Sequence, residues 1–344
     1  MRERIVRSNF IIKLRSWEYW PFGIIQFPLF FYFAWLSLRS RSILFFSGSN
    51  PGIEMGGMFG ESKYNLLTKI PAQYIPESRL IKLPATKAEV IEQLRKHNLQ
   101  FPLIFKPDLG ERGFMVKTIR HENDIDAYLN KIKIDFIVQE LVDLPLEFGV
   151  FYTRFPNEHN GKVTSVVLKE MLTVTGDGKS TLQQLILNKD RAKLQWETLK
   201  ITYQDSLDKV IPSGEIILLV SIGNHCLGTT FLDAGYLINE HLSTTFDAIS
   251  KQVEGFYFGR FDLRCKTIED LYSGNIKIME LNGCGAEPAH IYQPGYSLLD
   301  AIKVLFTHWR NIFLIARENR KRGFVFTNMK DGYKFYKSFK AAIQ

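Results

Sequence analysis

Two short segments late in the chain carry polar residues at every second position: Gly259-Arg-Phe-Asp-Leu-Arg264 and Ile278-Met-Glu-Leu-Asn-Gly283. In an extended strand alternate residues share a face, so Arg260, Asp262 and Arg264 point one way, as do Glu280 and Asn282 on a neighbouring strand. A chain with this pattern must build a sheet with one polar face, and two outcomes are open. Two carboxylates and an amide oxygen on adjacent strands make an oxygen-rich site suited to Mg²⁺, with Arg260 able to neutralise a phosphate. The same residues can instead form a cross-strand salt bridge on a solvated face.

What surrounds the pair reads as an α+β enzyme from Leu80 onward. Thr86 to Asn98 reads as a helix with Thr86 as N-cap and Val90, Ile91 and Leu94 on one face. Strands are expected at Phe101 to Phe105, Phe136 to Glu140, Leu146 to Arg154 and Val163 to Thr175, the last one long. Glu122 to Lys131 and Leu182 to Leu199 read as helices, and Ile216 to Gly223 and Gly228 to Asp233 as strands. Thr245 to Val253 is a further helix, Tyr257 to Cys265 with Lys277 to Leu281 a hairpin, and Ser297 to Ile315 the closing helix. With 344 residues, 45% of them hydrophobic, the chain can bury a sizeable core, and a disordered chain is excluded.

Lys106 ends a strand directly before the glycine turn Gly110-Glu-Arg-Gly113. A lysine fixed there reaches phosphate oxygens as a point charge, while a small loop lays its N–H groups, and here Arg112, over them. Ile137-Val-Gln-Glu-Leu141 then runs into a short connection with Glu147 at the start of the next strand. That order suits a nucleotide: strand-edge backbone for adenine, a carboxylate for ribose hydroxyls. Earlier, Gly52 to Gly60 leads into Glu61 to Lys69, an order in which a helix start and Lys63 can surround an anion.

The succession of these elements resembles the ATP-grasp superfamily, most closely the D-alanine:D-alanine ligase-like and cyanophycin-synthetase-like carboxylate–amine ligases, over about Leu80 to Ile315. The resemblance implies an ATP-grasp fold, two α+β subdomains gripping ATP. It implies Lys106 and Lys169 as phosphate lysines, with Gly110, Arg112 and Gly113 in the lid loop. Gln139, Glu140, Leu141 and Val142 become the adenine hinge and Glu147 the ribose ligand. Arg260 matches the arginine facing the transferred phosphate, and Asp262, Glu280 and Asn282 the ligands of Mg²⁺, or of Mn²⁺ in its place. The implied reaction converts a carboxylate to an acylphosphate that an amine attacks. Thr173-Val-Thr-Gly-Asp-Gly-Lys-Ser-Thr181 resembles a turn of the cyanophycin-synthetase group; read alone, Lys179 is an exposed hairpin tip or a residue shaping the site. Gly283-Cys-Gly-Ala-Glu-Pro-Ala-His290 stands where the D-alanine ligases have their substrate loop. Glu287, His290, His225 and Arg264 are therefore candidate substrate contacts. D-alanine ligases also carry a substantial α/β domain ahead of the core, whereas here only Arg41 to Arg79 precedes it, which argues against D-alanine as substrate.

The net charge of +8 is unevenly placed: +5 over residues 1–41, +6 over 317–344 and −3 over the body. A nucleic-acid binder carries its basic stripe on the folded body, so no nucleic-acid partner is expected. Between the N-terminal arginines, Trp17 to Leu36 is an apolar run interrupted by Glu18, Pro21, Gln26 and Pro28, a poor straight helix. Its aromatic residues and basic flanks favour an interfacial or re-entrant segment on an anionic membrane surface; a span and a segment buried by the chain's own domain are the alternatives. No small-residue cleavage site follows it, against a signal peptide. Tyr333 to Lys340 mixes aromatics with lysines, as an interfacial helix does or as a terminal helix packing on its own domain would. The expected division is a membrane-associating segment 1–41, a short region 42–79, the catalytic domain 80–316 and a basic tail 317–344. Cys226, Cys265 and Cys284 have neither disulfide-framework nor zinc spacing, which fits a reducing compartment; with the apolar run, the expected place is the cytoplasmic face of the membrane, peripheral or monotopic, and otherwise the cytoplasm. Small-molecule carboxylate and amine substrates are the expected partners. A kinase or amino-acid-adding ligase acting on a soluble peptide, and an inactive nucleotide-binding scaffold, are the competing functions.

Overall fold

The computed structural model describes residues 8–110 and 113–343. Arg112 and the first seven residues of the basic segment 1–41, both part of the expectations above, lie outside them. The chain is mixed α/β. Strands β1 (Ser78–Ile81), β2 (Leu103–Pro107), β3 (Lys117–Ile119) and β4 (Phe136–Glu140) form an antiparallel sheet in the order β1-β4-β2-β3. Helices Lys87–Lys96 and Asn123–Leu129 cover it, seating Val90, Leu94, Ile125 and Tyr128 among Phe105 and Phe136. Thr86 begins the first helix with a reciprocal cap to Glu89, a motif contributing about 1 kcal/mol.

Seven strands follow: β5 (Leu146–Thr153), β6 (Lys162–Glu170), β7 (Leu172–Thr175), β8 (Ile216–Val220), β9 (Thr230–Asp233), β10 (Phe258–Cys265) and β11 (Ile276–Asn282). β7 and β8 pair by themselves, and the rest make a five-stranded antiparallel sheet ordered β11-β10-β5-β6-β9. Phe148, Val150, Tyr152, Phe261 and Leu263 form its buried face, under Leu242, Phe246 and Ile249 of the Glu240–Lys251 helix. The alternate residues of β5, β6, β10 and β11 make the polar face.

Several elements differ from the sequence expectation. The long strand over Val163 to Thr175 divides at Met171, because β6 pairs with β5 and β9 whereas β7 pairs with β8. The span Leu182 to Leu199 holds helices Leu182–Asn188 and Asp190–Lys193 and the start of Trp196–Thr202, separated first by the extended backbone of Lys189. β10 and β11 are antiparallel neighbours, but the short helix Ile268–Ser273 stands between them in place of a hairpin turn.

The largest correction concerns the N-terminal apolar run, where Phe22–Ser40 is a continuous helix with Pro28 inside it. An interior proline costs about 3 kcal/mol, and burial of three apolar side chains at about 1.5–3 kcal/mol each outweighs it. Ile25 and Leu29 pack with Ile291, Ala301 and Leu305, and Leu36 with Phe45, Ile312 and Phe313, largely along the helix Leu298–Lys321. The opposite side keeps Ile24, Phe27, Phe31, Trp35 and Leu38 exposed. Among the described residues no helix is long and apolar enough to cross a membrane. In the terminal helix Met329–Ile343, Phe335 and Phe339 pack against Phe59 while Tyr333 faces outward.

The apolar run Ile43 to Phe46, after the Phe22–Ser40 helix, leads into a 3-10 turn, Phe45–Gly48, with both phenylalanines buried. Just beyond it, Asn50 ties distant backbone together. Its amide donates to the carbonyls of Gly56 and Phe258, and its Oδ1 accepts from the N–H groups of Tyr257 and Phe258.

Candidate active site

The polar face of the five-stranded sheet carries a compensated charge network. Asp262 is buried and accepts from the Arg260 guanidinium at 3.1 and 3.2 Å and from Asn282 Nδ2 at 2.9 Å, with Lys169 Nζ 3.0 Å away. The register explains the meeting: Arg260 lies opposite Asn282, and Asp262 opposite Glu280. Lys169 also reaches Glu147 at 3.2 Å, and Arg264 holds the other oxygen of that carboxylate at 2.9 Å. Burial pushes the Asp262 carboxyl up, but Arg260 and Lys169 outweigh it and hold the group at about 2. The same pairing keeps Lys169 charged: burial lowers its pKa, and the Asp262 and Glu147 charges more than restore it.

Lys106 bridges the two sheets. It extends from β2 to the carbonyl of Met279 on β11, at 3.0 Å, and to Gln139 Oε1 on β4, at 3.1 Å. Burial draws its pKa down to about 8 despite the nearby Glu280 charge. Glu280 itself pairs with Lys63 at 2.5 Å; burial raises its carboxyl, and Lys63 and Lys106 together bring it below its ordinary value.

The helix start proposed as an anion site is occupied by the chain's own Asp108. Its Oδ1 accepts from Ser62 Oγ at 3.0 Å and from the Tyr64 N–H at 2.8 Å.

Lys106, Lys169, Arg260, Asp262, Glu280, Asn282, Glu147 and Arg264 therefore come together. The remaining expected residues have separate places. Gln139 sits buried under Lys106, whereas the Glu140 side chain is exposed; beyond it the Val142 carbonyl accepts from Arg264 Nη1 at 2.9 Å. Leu141, half-buried, lies between them. Gly110 and Gly113 have φ of +129° and +74°, the left-handed region glycine tolerates. Gly113 lies against Ile222, Asn224 and Leu227 of the loop after β8. In that loop a Cβ on Gly223 would fall 1.9 Å from Glu147 Oε1, so a larger residue there would have to push this carboxylate aside. Lys179 is at an exposed turn organised by Asp177, whose Oδ1 takes the N–H groups of Lys179 and Ser180.

Glu287, His290 and His225 border the network through residues that sequence reasoning missed. The Glu287 carbonyl accepts from Arg260 Nη1 at 3.2 Å, while its carboxylate takes Gln26 Nε2 at 2.7 Å and the hydroxyl of Tyr292. His290 Nδ1 is 2.7 Å from Ser165 Oγ, and burial lowers its pKa, which favours the neutral ring. His225 Nε2 is 2.9 Å from Glu18, which also binds Arg191 at 2.8 Å. The signal for Glu18 and Gln26 was present: they are the polar interruptions of the apolar run, and a polar residue in such a run marks the side that faces a partner.

Two carboxylates and an amide make a hard oxygen donor set that fits Mg²⁺ or Mn²⁺. Asn282 gives its amide nitrogen to Asp262, which keeps the amide oxygen as its donor atom for a cation. Among the described residues no cluster of three or more His, Cys, Asp or Glu forms a metal site by itself.

No family model matches the chain, and no curated protein does. Solved structures similar to it include a D-alanine–D-alanine ligase from Bacillus anthracis, at 14% identity and TM-score 0.43, covering 79% of this chain and 72% of that one. The VanG D-Ala:D-Ser ligase from Enterococcus faecalis matches at 15% identity and TM-score 0.38, over 73% of this chain and 62% of the other. A bifunctional glutathione synthetase from Pasteurella multocida matches at 15% identity and TM-score 0.35, over 71% of this chain but only 35% of its own. These are ligases of the kind the motifs resemble. At such TM-scores the likeness carries no argument, and the functional reading stands on the residues.

Proposed function

We propose that the protein is an ATP-dependent ligase that joins a carboxylate to an amine through an acylphosphate, working beside a membrane surface. The supporting observation is the meeting of three cations, Lys106, Lys169 and Arg260, with Asp262 and Glu280 between two sheets. A carboxylate does not react with an amine directly, because oxide is too poor a leaving group. When its oxygen attacks the terminal phosphorus of ATP, ADP leaves and the acyl carbon acquires phosphate as a leaving group. Lys106 and Lys169 have the reach and charge to hold phosphate oxygens during this transfer. Asp262, Glu280 and Asn282 would hold the divalent cation, which when bound spreads the charge on the phosphate oxygens. When the amine attacks the acyl carbon, the fixed guanidinium of Arg260 stabilises the oxyanion, and phosphate departs with the bonding pair. His290, whose ring burial favours as neutral, would accept the amine proton at a ring nitrogen.

One observation favours a second reading, an inactive nucleotide-binding scaffold: each central carboxylate is already neutralised by the chain's own cations. Glu280→Gln separates the two. An active ligase releases ADP from ATP in the presence of a carboxylate and amine pair and loses that release in the variant, while nucleotide still binds. If the wild type binds ATP but forms no ADP across a broad panel of such pairs, with and without vesicles, the scaffold stands.

A further inference from the structure

Away from the sheets, the end of the Phe22–Ser40 helix meets the end of Leu298–Lys321 around a pocket of about 360 Å³. Arg39, Arg41, Arg317 and Arg320 line it, over a floor of Phe45, Phe313 and Phe326, and no carboxylate is part of the lining. Arg39 and Arg41 have no carboxylate partner among the described residues; Arg317 reaches Glu318 at 3.4 Å, and Arg320 donates to the Ser40 carbonyl at 2.7 Å. Four guanidiniums with one carboxylate, Glu318, beside them leave the pocket net positive; Phe313 and Phe326 hold Arg39, Arg317 and Arg320 by their ring faces, and an entering anion would meet several guanidiniums at once. Arg39 also stacks 4.8 Å above Trp35, which joins the pocket to the exposed stripe of Phe27, Phe31, Trp35 and Leu38. That helix is about 28 Å long by its rise per residue and apolar on its outer side, but it does not span.

We propose that the arginine pocket binds the phosphate of an anionic lipid headgroup, with the outer stripe of the Phe22–Ser40 helix lying among the adjoining acyl chains. The inference rests on the membrane placement proposed above and names what the surface must offer. A soluble phosphate would satisfy the guanidiniums alone, whereas only a lipid satisfies them and the apolar stripe running up to them. A guanidinium grips phosphate oxygens through paired donors, so the pocket distinguishes a seated phosphate from diffuse surface charge.

The test is flotation of the full chain with phosphatidylcholine vesicles, with and without phosphatidic acid. A triple variant, Arg39→Gln, Arg41→Asn and Arg317→Gln, spares the hydrogen bond of Arg320, and asparagine tolerates the positive φ of Arg41. It should bind phosphatidic-acid vesicles at least about tenfold more weakly, while Lys96→Gln, Lys131→Gln and Lys133→Gln together, equal in charge, should change binding by less than about twofold. Phe27→Ser with Phe31→Ser should also release the protein. If both triple variants weaken equally, binding is diffuse electrostatics and the pocket assignment fails while the membrane placement stands. If no vesicle binds the wild type, the placement fails too. If inorganic pyrophosphate then quenches Trp35 fluorescence in the wild type but not in the arginine variant, the pocket is a soluble-anion site. Vesicle binding of a folded arginine variant as tight as the wild type's overturns the proposal outright.

Discussion

The strand pair β10–β11 and the Phe22–Ser40 helix handle polarity in opposite ways. On the strands, Arg260, Asp262 and Asn282 meet within one strand pair, and Lys169 and Lys63 from other elements complete the neutralisation. On the helix and the residues before it, polar side chains are few, and two of them find partners more than 150 residues away: Gln26 on Glu287, Glu18 on Arg191 and His225. What remains on the outer side of the helix is apolar. Charge compensation thus builds a preorganised polar face, whereas sparse polar groups in an apolar run orient a segment, turning one side toward the protein and leaving the other side exposed and apolar.

The comparison breaks most visibly at Asp262. Asp262→Asn leaves Arg260 and Lys169 buried without their shared acid, and should cost about 3–5 kcal/mol in chemical denaturation. A loss below about 1 kcal/mol would mean that the network is solvated and not closed. Next, Leu29→Ala on the inner side of the helix should cost about 2–5 kcal/mol, against less than about 0.5 kcal/mol for Phe31→Ser on the outer side. Equal losses would erase the distinction between the two sides.

Lys106 supplies a pH test. Bound phosphate favours its ammonium form, while the free site releases the proton above about 8. Nucleotide affinity should therefore hold steady below that pH and fall by up to about tenfold per unit above it, as read by calorimetry with the corresponding proton uptake. A profile that stays flat through the alkaline range removes Lys106 from the phosphate site. The smallest effect is at Gln26: Gln26→Leu deprives Glu287 of one of its partners and should cost about 1–2 kcal/mol. An unchanged midpoint would show that its remaining partners, Tyr292 among them, satisfy that carboxylate.

The strand pair was legible because period two is a local property: Arg260, Asp262, Glu280 and Asn282 declare a shared face within a few residues. The Thr86 cap was legible for the same reason. The division at Met171 was not, since no breaker interrupts Val163 to Thr175 and only the partners β8 and β9 decide where each half goes. The short run Ile43 to Phe46 suits a strand as well as the buried turn it forms, because four apolar residues carry no period. Pro28 argued against a helix by its local cost, and tertiary packing of Ile25, Leu29 and Leu36 reversed the outcome. Lys63 on Glu280 joins residues too far apart for any motif to link.

Those distances also set an order of events. Asn50 completes its hydrogen bonds only with Tyr257 and Phe258, Trp17 donates to the Tyr296 carbonyl, and the Phe22–Ser40 helix packs on residues from Ile291 onward. During synthesis these segments leave the ribosome long before their partners exist, so the most apolar stretch of the chain waits, both sides bare, while more than two hundred residues are added. Whatever covers the helix in that interval, until Ile291 and the residues after it arrive, decides whether the chain folds or aggregates.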